Sequence, residues 1–590
     1  MGKVLEIDSL QDRDYLAEQI ADKYASSKSR MQTKLNEWGE LRNYLFATST
    51  QDTTNDALPW SNTTTTPKLT QIRDNLHANY MDAVFPNDNW LKWEGHSAEA
   101  EVASKRKAIQ TYMFNKTNTG DFRNAVSKAL YDYIDYGNCI GDVEFVREVH
   151  TDAATGEEVV GYVGPKAVRV SPLDLVIDPT ATSFRDSYKI TRHIKTFGQL
   201  RAEAMDKPEQ QYLEEAFKVA EARRIEFSHF DPTDTIKNEA YTVDGFGSLV
   251  DYYQSPYVEI LEFVGDIHEK DGQLIRNQLI TIIDRSIMIR KIDNPNWLGR
   301  SSLEHAGWRP RPDNLWAMGP LDNLVGMQYR LDHLENVQAD LMDLAALPPV
   351  KVRGNVEEFE WGPLEKIYLG DDGDIDLMRV ESAAFQYDAK IDVLMRRMEE
   401  MAGAPKEAMG IRTPGEKTAF EVQSLQNAAG RLFNNRIRNF EINWLEPMLN
   451  NMLEVARRNM DGADLVRVMD DDIGVVEFTK ITKEDITAEG KLRPVGSRHF
   501  AAEAQLVQNL NGVFNSQIGA MIAPHVSPKK MAALVEDLFG LNKFDLVSDN
   551  AAVMEQMETQ RLMQQGSEQL EVEAMTPGTE GEDEDLGPVQ

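Results

Sequence analysis

The sequence predicts a mainly helical protein of the α+β class. Apolar residues recur every three or four positions over long stretches of the middle of the chain, which is the spacing of one helix face. Runs rich in Val, Ile and Leu, bounded by Gly, Pro and Asp, lie in the front half and indicate strands. With 590 residues, of which 41% are hydrophobic, the chain is long enough for several domains with real cores.

Two helices are predicted in the front part, and each ends at a residue that interrupts helices. In LTQIRDNLHANYMDAVF, which starts at Leu69, the apolar residues share one helix face, and Pro86 ends the helix. The stretch FRNAVSKALYDYIDYGN is helical as far as Gly137, and CIGDVEFVREV then has strand composition. The Thr run in SNTTTTP is expected to be a loop.

Further strands are predicted in KAVRVSPLDLVIDPTA, YVEILEFVGDI and NQLITIIDRSIMIRKID. The segment HEKDGQLIR between the last two is a charged, hairpin-like connection around Asp271 and Gly272. Cys139 is the single cysteine, so an internal disulfide is excluded and a buried, small apolar role is expected.

The middle of the chain predicts a long helix, a β insertion and a second helix. Residues spaced by seven form two series that together make a heptad seam on the first helix: Leu324, Leu331, Gln338 and Ala345, and Met327, Leu334 and Leu341. The residues after it contain Pro, Gly and short β runs. YDAKIDVLMRRMEEMAG then returns to helical spacing.

The longest periodic run extends from Lys417 to Arg458, which is roughly 60 Å of continuous helix. Pro447 is expected to kink this helix or to break its hydrogen bonding locally. Five arginines on this run are expected either to form a DNA-facing stripe or to bind carboxylates, between subunits or on the helix surface: Arg431, Arg436, Arg438, Arg457 and Arg458. Another helical region is predicted after it, and GTEGEDEDLGPVQ at the end is an acidic tail that cannot bury a core.

The segment GAPKEAMGIRTPGEKTAFEVQ, which starts at Gly403, contains two further glycines followed by Lys417 and Thr418 and so partly resembles a phosphate-binding loop. In such a loop a lysine directly follows the second glycine, and backbone N–H groups surround the phosphates. Here Glu416 stands between Gly415 and Lys417, and helical spacing rather than a strand precedes Gly403. We therefore predict a loop that joins two helices.

The charge balance argues against general binding of nucleic acid. The chain has 63 Lys and Arg against 97 Asp and Glu, a net charge of −34, whereas proteins held by phosphate contacts are normally basic. The charged first residues and the lack of a long apolar run predict neither a signal peptide nor a membrane span. GDDGDIDL lacks the pattern of a calcium loop, and the aspartates at 470–472 are expected to form a turn. No metal, cofactor or catalytic residue is predicted.

Five stretches of the sequence, taken in order, resemble one known family. They are LPWSNTTTTPKL with AVFPNDNWLKWE, then ALYDYIDYGNCIGDVE, SPLDLVIDPTA, MGPLDNLVGMQYRLDHLENVQ and TPGEKTAFEVQSL. They are similar to stretches of the portal proteins, or head-to-tail connectors, of short-tailed double-stranded DNA bacteriophages. The resemblance covers most of the chain.

This resemblance implies a structural conduit rather than an enzyme. The chain would form a ring of twelve copies at one capsid vertex of the virion, after synthesis in the host cytoplasm. Double-stranded DNA would be packaged and ejected through the ring. The implied partners are the terminase packaging motor, then a tail adaptor protein, together with capsid and scaffolding proteins, and no membrane.

The resemblance also implies a division of the chain. The implied parts are the wing at 1–318, a stem helix at 319–347, the clip at 348–386, a second stem helix at 387–403, a tunnel loop at 404–418, a long helix and wing return at 419–488, a helical crown at 489–565 and an acidic flexible tail at 566–590.

Within the implied tunnel loop, charged residues would face the DNA: Lys406, Glu407, Arg412, Glu416 and Lys417. Glycines and prolines would act as hinges: Gly403, Pro405, Gly410, Pro414 and Gly415. An acidic lining with few cations, extended by Glu399 and Glu400, avoids a salt-dependent grip on the polyanion. The same charges would suit an ordinary solvated loop.

Two other classes of protein are alternatives. A packaging ATPase or nuclease is disfavoured by the interrupted phosphate loop. A scaffold or coat-associated protein is disfavoured by the order helix, β insertion, helix followed by a long helix.

Overall fold

The computed structural model describes most of the front and middle of the chain. The described residues are 10–46, 62–85, 90–95, 100–151, 158–178, 180–206, 211–223, 231–253, 257–354, 368–377, 387–403, 433–460, 462–470 and 475–494.

The described helices, in chain order, are α1 Leu10–Phe46, α2 Lys68–Val84, α3 Ala100–Thr119, α4 Phe122–Asp135, α5 Phe197–Asp206, α6 Glu214–Arg223, α7 Pro232–Val243, α8 Leu249–Tyr252, α9 Val325–Ala346, α10 Tyr387–Ala402, α11 (described over 433–440), α12 Glu446–Asn459 and α13 Lys483–Ile486. A π-helical turn, Glu441–Leu445, connects α11 to α12.

The described strands are β1 Leu91–Gly95, β2 Asn138–Thr151, β3 Glu158–Val170, β4 Leu175–Ile177, β5 Lys189–Thr196, β6 Tyr257–His268, β7 Leu274–Ile283, β8 Ile287–Asp293, β9 Glu304–Gly307, β10 Arg309–Arg311, β11 Asn314–Met318, β12 Val350–Arg353, β13 Asp374–Leu377, β14 Ala463–Asp470, β15 Val475–Thr482 and β16 Gly490–Pro494. They form a five-stranded sheet in the order β4-β5-β6-β7-β8, a three-stranded sheet β3-β2-β9, and the pairs β1-β16, β10-β11, β12-β13 and β14-β15.

This architecture confirms the predicted α+β class. Helix makes up 51% and strand 27% of the structure, so helix is the larger part. The two larger sheets are antiparallel throughout, as expected where helices and strands are not interleaved in parallel β-α-β units.

The front helices confirm the periodicity argument. In α2, Leu69, Ile72, Leu76, Tyr80 and Val84 are all buried, and the helix ends just before the predicted stop. Their common face packs into the largest core, which also contains side chains from α4 and α12. Cys139 is buried in the same core, as predicted, and burial raises the pKa of its thiol.

The turn from α4 to β2 depends on Gly137. Its φ of +69° lies in the left-handed region that favours glycine. A Cβ atom at this position would also overlap the backbone of Met318 and Gly319. The next residue, Asn138, starts β2 and donates from Nδ2 to the carbonyl oxygen of Ala317 at 3.0 Å. The predicted end of the helix is therefore confirmed, and close backbone packing explains the glycine.

The five-stranded sheet corrects one stretch of the sequence interpretation. NQLITIIDRSIMIRKID is divided into β7 and β8 by a tight turn at Asp284 and Arg285. Both residues have positive φ, +50° and +53°, the combination of a type I′ turn, and Ser286 completes a three-residue loop between the paired residues Ile283 and Ile287. The turn carries no glycine, so composition did not reveal it. The predicted turn around Asp271 and Gly272 is present, and Gly272 has φ +80°.

Helix α1 was not predicted from the sequence; it is 37 residues long and contributes side chains to three cores. Leu16 packs over the five-stranded sheet, Leu35 packs with α7 and the β4 region, and Leu41 packs into the largest core. The helix was missed because its apolar residues are sparse among charged ones.

A buried ionic cluster fixes α7 on the five-stranded sheet. Arg192 of β5 binds Asp234 of α7 at 2.7 Å and Glu259 of β6 at 2.5 Å. Arg285, in the β7–β8 turn, binds Glu259 and Asp231 at 2.7 Å each. Because the cluster is largely buried and has three carboxylates for two guanidinium groups, removal of either arginine leaves carboxylates without compensation, which costs about 3–5 kcal/mol.

The long helix is interrupted where the proline predicted an interruption. α11 changes to a π-helical turn at Glu441–Leu445, and Pro447 lies in the first turn of α12. Proline has no N–H to donate to the preceding turn, and a π turn is one way to absorb the missing bond. The local break in hydrogen bonding is thus confirmed. The part of the predicted helix before residue 433 lies outside the described residues.

The chain divides into two compact units, one formed by 1–466 and 479–498, the other by 467–478 and 499–590. In the second unit only the ends of β14 and β15 are described. The predicted crown from residue 495 onward and the acidic tail lie outside the described residues. The residues 490–494, expected at the start of a helical region, are instead β16, which pairs with β1.

Candidate functional site: a helix–hairpin–helix arm

The predicted loop lies almost entirely outside the described residues. The predicted residues that lie outside are Pro405, Lys406, Glu407, Gly410, Arg412, Pro414, Gly415, Glu416 and Lys417. Gly403 is described, has φ +75°, and donates its N–H to the carbonyl oxygen of Glu400 at 3.1 Å. A left-handed glycine here ends α10, as predicted for a helix that leads into a loop.

The two helices before this loop and the hairpin between them form a unit that we call the arm, residues 325–403. The order helix, β insertion, helix is confirmed by α9, the β12–β13 hairpin and α10. All residues from Met342 to Leu347 are exposed, as are the first residues after Tyr387 in α10. In contrast, Met398 and Ala402 at the end of α10 are buried. The arm therefore leaves the core along α9 and returns along α10.

The heptad seam is buried over only part of α9. Leu324, Leu331 and Leu334 are buried in the largest core, and Gln338 is buried as well. Ala345, the last member of the series, is exposed. The heptad repeat therefore extends farther along α9 than the part of the helix that other residues of the described chain bury.

A polar stripe on α9 binds an extended segment that contains the Thr run. Four side chains spaced by four residues contribute to this stripe: Gln328, Asp332, Asn336 and Asp340. Residues four apart lie on one helix face, so each successive turn of α9 presents one polar group to the segment 62–66. The segment is a loop, as predicted: residues 62–66 form no helix or extended strand, and several of their backbone groups bond to side chains of α9.

The contacts of Asn336 and Asp332 show how the stripe works. Asn336 accepts from the N–H of Thr64 through Oδ1 at 2.9 Å and donates from Nδ2 to the Thr64 carbonyl at 3.0 Å. Asp332 accepts from the N–H of Thr66 at 2.9 Å and from Gln328 at 2.8 Å, both through Oδ1. Its other oxygen is buried with no hydrogen bond, and burial raises the pKa of Asp332 to about 7 against these two favourable bonds.

A buried ion pair holds the base of the arm. Lys68 at the start of α2 binds Glu399 of α10 at 2.5 Å, and both side chains are 7% exposed. Nζ of Lys68 also donates to Gln71 at 2.9 Å. Glu399 was expected to extend an acidic channel lining; this expectation is wrong, because its carboxylate is buried against a lysine. Glu400, the next residue, is exposed.

A second contact joins the two helices farther along the arm. Gln338 of α9 donates from Nε2 to Asp388 of α10 at 2.7 Å. Glu335 lies on the same side, and burial together with the charge of Asp388 raises its pKa. The pairing of mid-α9 with the first turn of α10 makes the two helices antiparallel.

The hairpin of the arm has two different faces. Lys351 lies opposite Asp376, and Arg353 lies opposite Asp374, so opposite charges meet across the strands. The alternate positions carry apolar side chains: Val350, Val352, Ile375 and Leu377. Every one of these strand residues is exposed or half-buried. An isolated two-stranded hairpin is at best marginally stable in water, so a covered apolar face would stabilise it.

Apolar side chains are also exposed around the hairpin. Leu347 is 70% exposed, and Tyr368 and Leu369 are exposed as well. Contiguous exposed apolar surface in a protein with this much charge is typical of an interaction site.

Three of the five arginines of the long helix bind groups within their own chain, and a fourth, Arg438, is exposed. Arg436 donates to the carbonyl of Trp308 at 2.7 Å, and Arg457 donates to the carbonyl of Ile486 at 2.6 Å. Arg458 has a carboxylate partner of the kind that was considered, Glu454 at 3.4 Å. Two of these arginines, Arg436 and Arg457, therefore donate to backbone carbonyl oxygens. The sequence did not predict these contacts. Arg431 lies outside the described residues.

The arm offers surfaces for association rather than converging reactive groups. Among the described residues, no group of three or more His, Cys, Asp and Glu is arranged to hold a metal ion. Within the same ranges, each helix is too short or too polar to cross a bilayer. Comparison with protein-family models finds no match for this sequence, and comparison with curated proteins finds none either.

Proposed function

We propose that this chain is a portal-like structural protein that assembles into a closed ring, through which double-stranded DNA is packaged and ejected. The observation that carries the proposal is the arm, whose helices leave the core and whose tip exposes apolar side chains. In a lone subunit the apolar side chains at the tip of the arm, Leu347, Tyr368 and Leu369, remain exposed to water, which is unfavourable. A neighbouring copy would cover them, and identical head-to-tail contacts close into a ring where the rotation allows.

The charge of the chain supports a conduit rather than a clamp. A protein that makes six to ten phosphate contacts loses about 10³–10⁵ in affinity between 50 and 200 mM salt, which reflects a strong electrostatic grip. A ring of subunits that each carry −34 avoids this grip and lets DNA slide. The packaging motor and a tail adaptor are the partners that such a ring would bind in turn.

The test is native mass spectrometry of the full-length protein, combined with end-on electron micrographs. We expect a large closed oligomer with a central hole. Leu347→Ser, at the tip of the arm, should weaken assembly. Met205→Ser is the matched control, because Met205 on α5 is similarly exposed, at 67%, but lies outside the arm. A protein that stays monomeric over all concentrations and salt conditions would refute the proposal.

The DNA-handling part of the proposal has its own test. Replacing Lys406–Gly415 by a short glycine linker should leave rings intact and impair packaging or retention of DNA. Rings that package and hold DNA normally without this segment would show that it only joins two helices.

The packaging ATPase alternative predicts a different result. Because Glu416 interrupts the lysine spacing of a phosphate loop, we expect no ATP binding at micromolar concentration. Micromolar affinity that is lost in Lys417→Ala would favour the ATPase over the conduit.

A further inference from the structure

A tight turn between β8 and β9 presents two large apolar side chains to solvent. Trp297 is 56% exposed and Leu298 is 50% exposed. We call the turn, residues 294–300, the Trp297 turn. Tryptophan at the centre of a protein interface frequently contributes the largest share of binding energy.

The Trp297 turn is held rigidly in place by polar contacts. The side chain of Asn294 donates to Asn277 Oδ1 and to the Arg300 carbonyl at 3.0 Å each. Asn296 Oδ1 accepts from the Leu298 N–H at 2.9 Å. The N–H of Trp297 itself donates to Glu454 of α12 at 2.9 Å. A preorganised turn loses little conformational entropy when it binds, so its exposed side chains are suited to a contact.

One positive charge lies beside the turn, on the short helix α13, which also carries Glu484 and Asp485. Nζ of Lys483, the first residue of α13, lies 5.6 Å from the centre of the Trp297 ring. The surface therefore combines an indole, an isobutyl group and an ammonium group. Its complement would be a groove with room for a ring, hydrogen-bond acceptors for the indole N–H, and carboxylates.

The groove between α1 and α7 has these properties. It has a volume of about 830 Å³, within the usual range of ligand pockets. Side chains that line it from α1 include Asn36 and Glu40, and Glu239 lines it from α7. Both glutamates are exposed. Gly39 forms part of its wall where α1 approaches Ile236, and the groove remains open beside this contact.

The turn and the Asp231 end of the groove lie at opposite ends of the β7–β8 hairpin. Asp231 lines the groove and is bound by Arg285 in the β7–β8 turn. Asn277 and Asn294, which hold the Trp297 turn, lie at the other end of the paired strands, with about six residue steps between. At about 3.3 Å per residue the separation is about 20 Å. One copy therefore does not place its own turn in this groove.

We propose that the Trp297 turn of one copy of this chain binds in the α1–α7 groove of a second copy, with Lys483 facing the groove carboxylates. The contact is heterologous, since it joins two different surfaces, and repetition of such a contact produces a ring or a filament. The inference rests on the proposed function, because it names a second pair of surfaces, besides the arm, through which ring subunits would meet.

The first experiment measures assembly of the full chain by native mass spectrometry over a concentration series. Trp297→Ala should raise the concentration for half-assembly by about 30-fold, the effect of removing a strong interface residue. Phe246→Ala is the matched control, since Phe246 is 68% exposed but lies on neither surface, and it should change little. Glu40→Lys should also weaken assembly, and Lys483→Glu should restore it in part in the same chain.

The second experiment traps the contact directly. Leu298→Cys and Asn36→Cys, placed in separate chains and mixed under oxidising conditions, should form a disulfide between chains that neither variant forms alone. The native Cys139 is buried and does not compete. Rings that form normally with Trp297→Ala and without the disulfide overturn the contact but leave the proposed function standing. A wild-type chain that never assembles overturns the proposed function, and the contact with it.

Discussion

The buried pair of Lys68 and Glu399 should determine whether α10 stays docked at the base of the arm. Each side chain is only 7% exposed, and the ions are 2.5 Å apart. In such a site, removal of one partner leaves the other charge buried without compensation, at a cost of about 3–5 kcal/mol. We therefore expect Lys68→Met and Glu399→Gln each to destabilise the docking of α10 by an amount of this order.

Hydrogen–deuterium exchange followed by mass spectrometry measures this docking locally. If α10 exchanges by detaching from the core, a loss of about 3–5 kcal/mol makes its amides exchange roughly 10²- to 4 × 10³-fold faster, since about 1.4 kcal/mol corresponds to a factor of ten. Peptides from the distant five-stranded sheet should change little. A local measurement is preferable here because it reports the opening of α10 itself, separately from unfolding of the rest of the chain.

Two controls make the result specific. Lys218→Met removes a pair in α6 whose side chains are 70% and 84% exposed, and such pairs contribute about 1 kcal/mol or less. The double variant Lys68→Met, Glu399→Leu removes both buried charges and should be less damaging than either single change. Exchange in α10 that stays within about threefold of wild type in both single variants would refute the argument that this ion pair holds the arm.

Three further predictions follow from particular sites. Gly137→Ala should destabilise the protein by about 3 kcal/mol or more in urea unfolding, because alanine would be strained at this left-handed φ and its Cβ would overlap the backbone of Met318 and Gly319. Gly272→Ala is the control: Gly272 also has positive φ but has open space around it, so the change should cost only roughly 1–2 kcal/mol. Burial raises the pKa of Asp332 to about 7 in the folded protein, whereas an Asp in the unfolded chain has a pKa of about 4. Below about pH 4 the carboxyl is protonated in both states, so the folded state keeps its full stability; as the pH rises from about 4 through 7, the unfolded state loses its proton first and the stability of the folded state falls. The advantage of Asp332→Asn in urea midpoint should therefore grow from pH 5 to pH 8, to a gain on the order of 2 kcal/mol, and a constant difference would contradict the assignment. Assembly should become easier as salt rises, because the Debye length falls from about 10 Å at 0.1 M to about 3 Å at 1 M and screens the repulsion between copies of charge −34; sedimentation velocity that shows dissociation with added salt would contradict this.

Elements with a strong local signal were predictable from the sequence. The apolar spacing of α2 fixes which of its faces is buried, since residues three and four apart share a face whatever they pack against. Gly137 and Gly403 end helices because left-handed φ is accessible to glycine at little cost. Pro447 breaks the long helix because it has no N–H to donate. Each of these effects acts within a few residues of the chain, so the sequence alone determined them.

Partnerships between distant residues were decided only by the tertiary structure. The buried role of Glu399 depends on Lys68, which is 331 positions away, and the sequence placed that glutamate on an open acidic surface. The stripe of Asp332 and Asn336 resembles ordinary polar positions of a helix until the segment at Thr64 lies against it. Whether a charged or polar side chain is solvated or buried depends on which other part of the fold packs against it. The spacing of residues along one helix shows which of them share a face, but not what packs against that face.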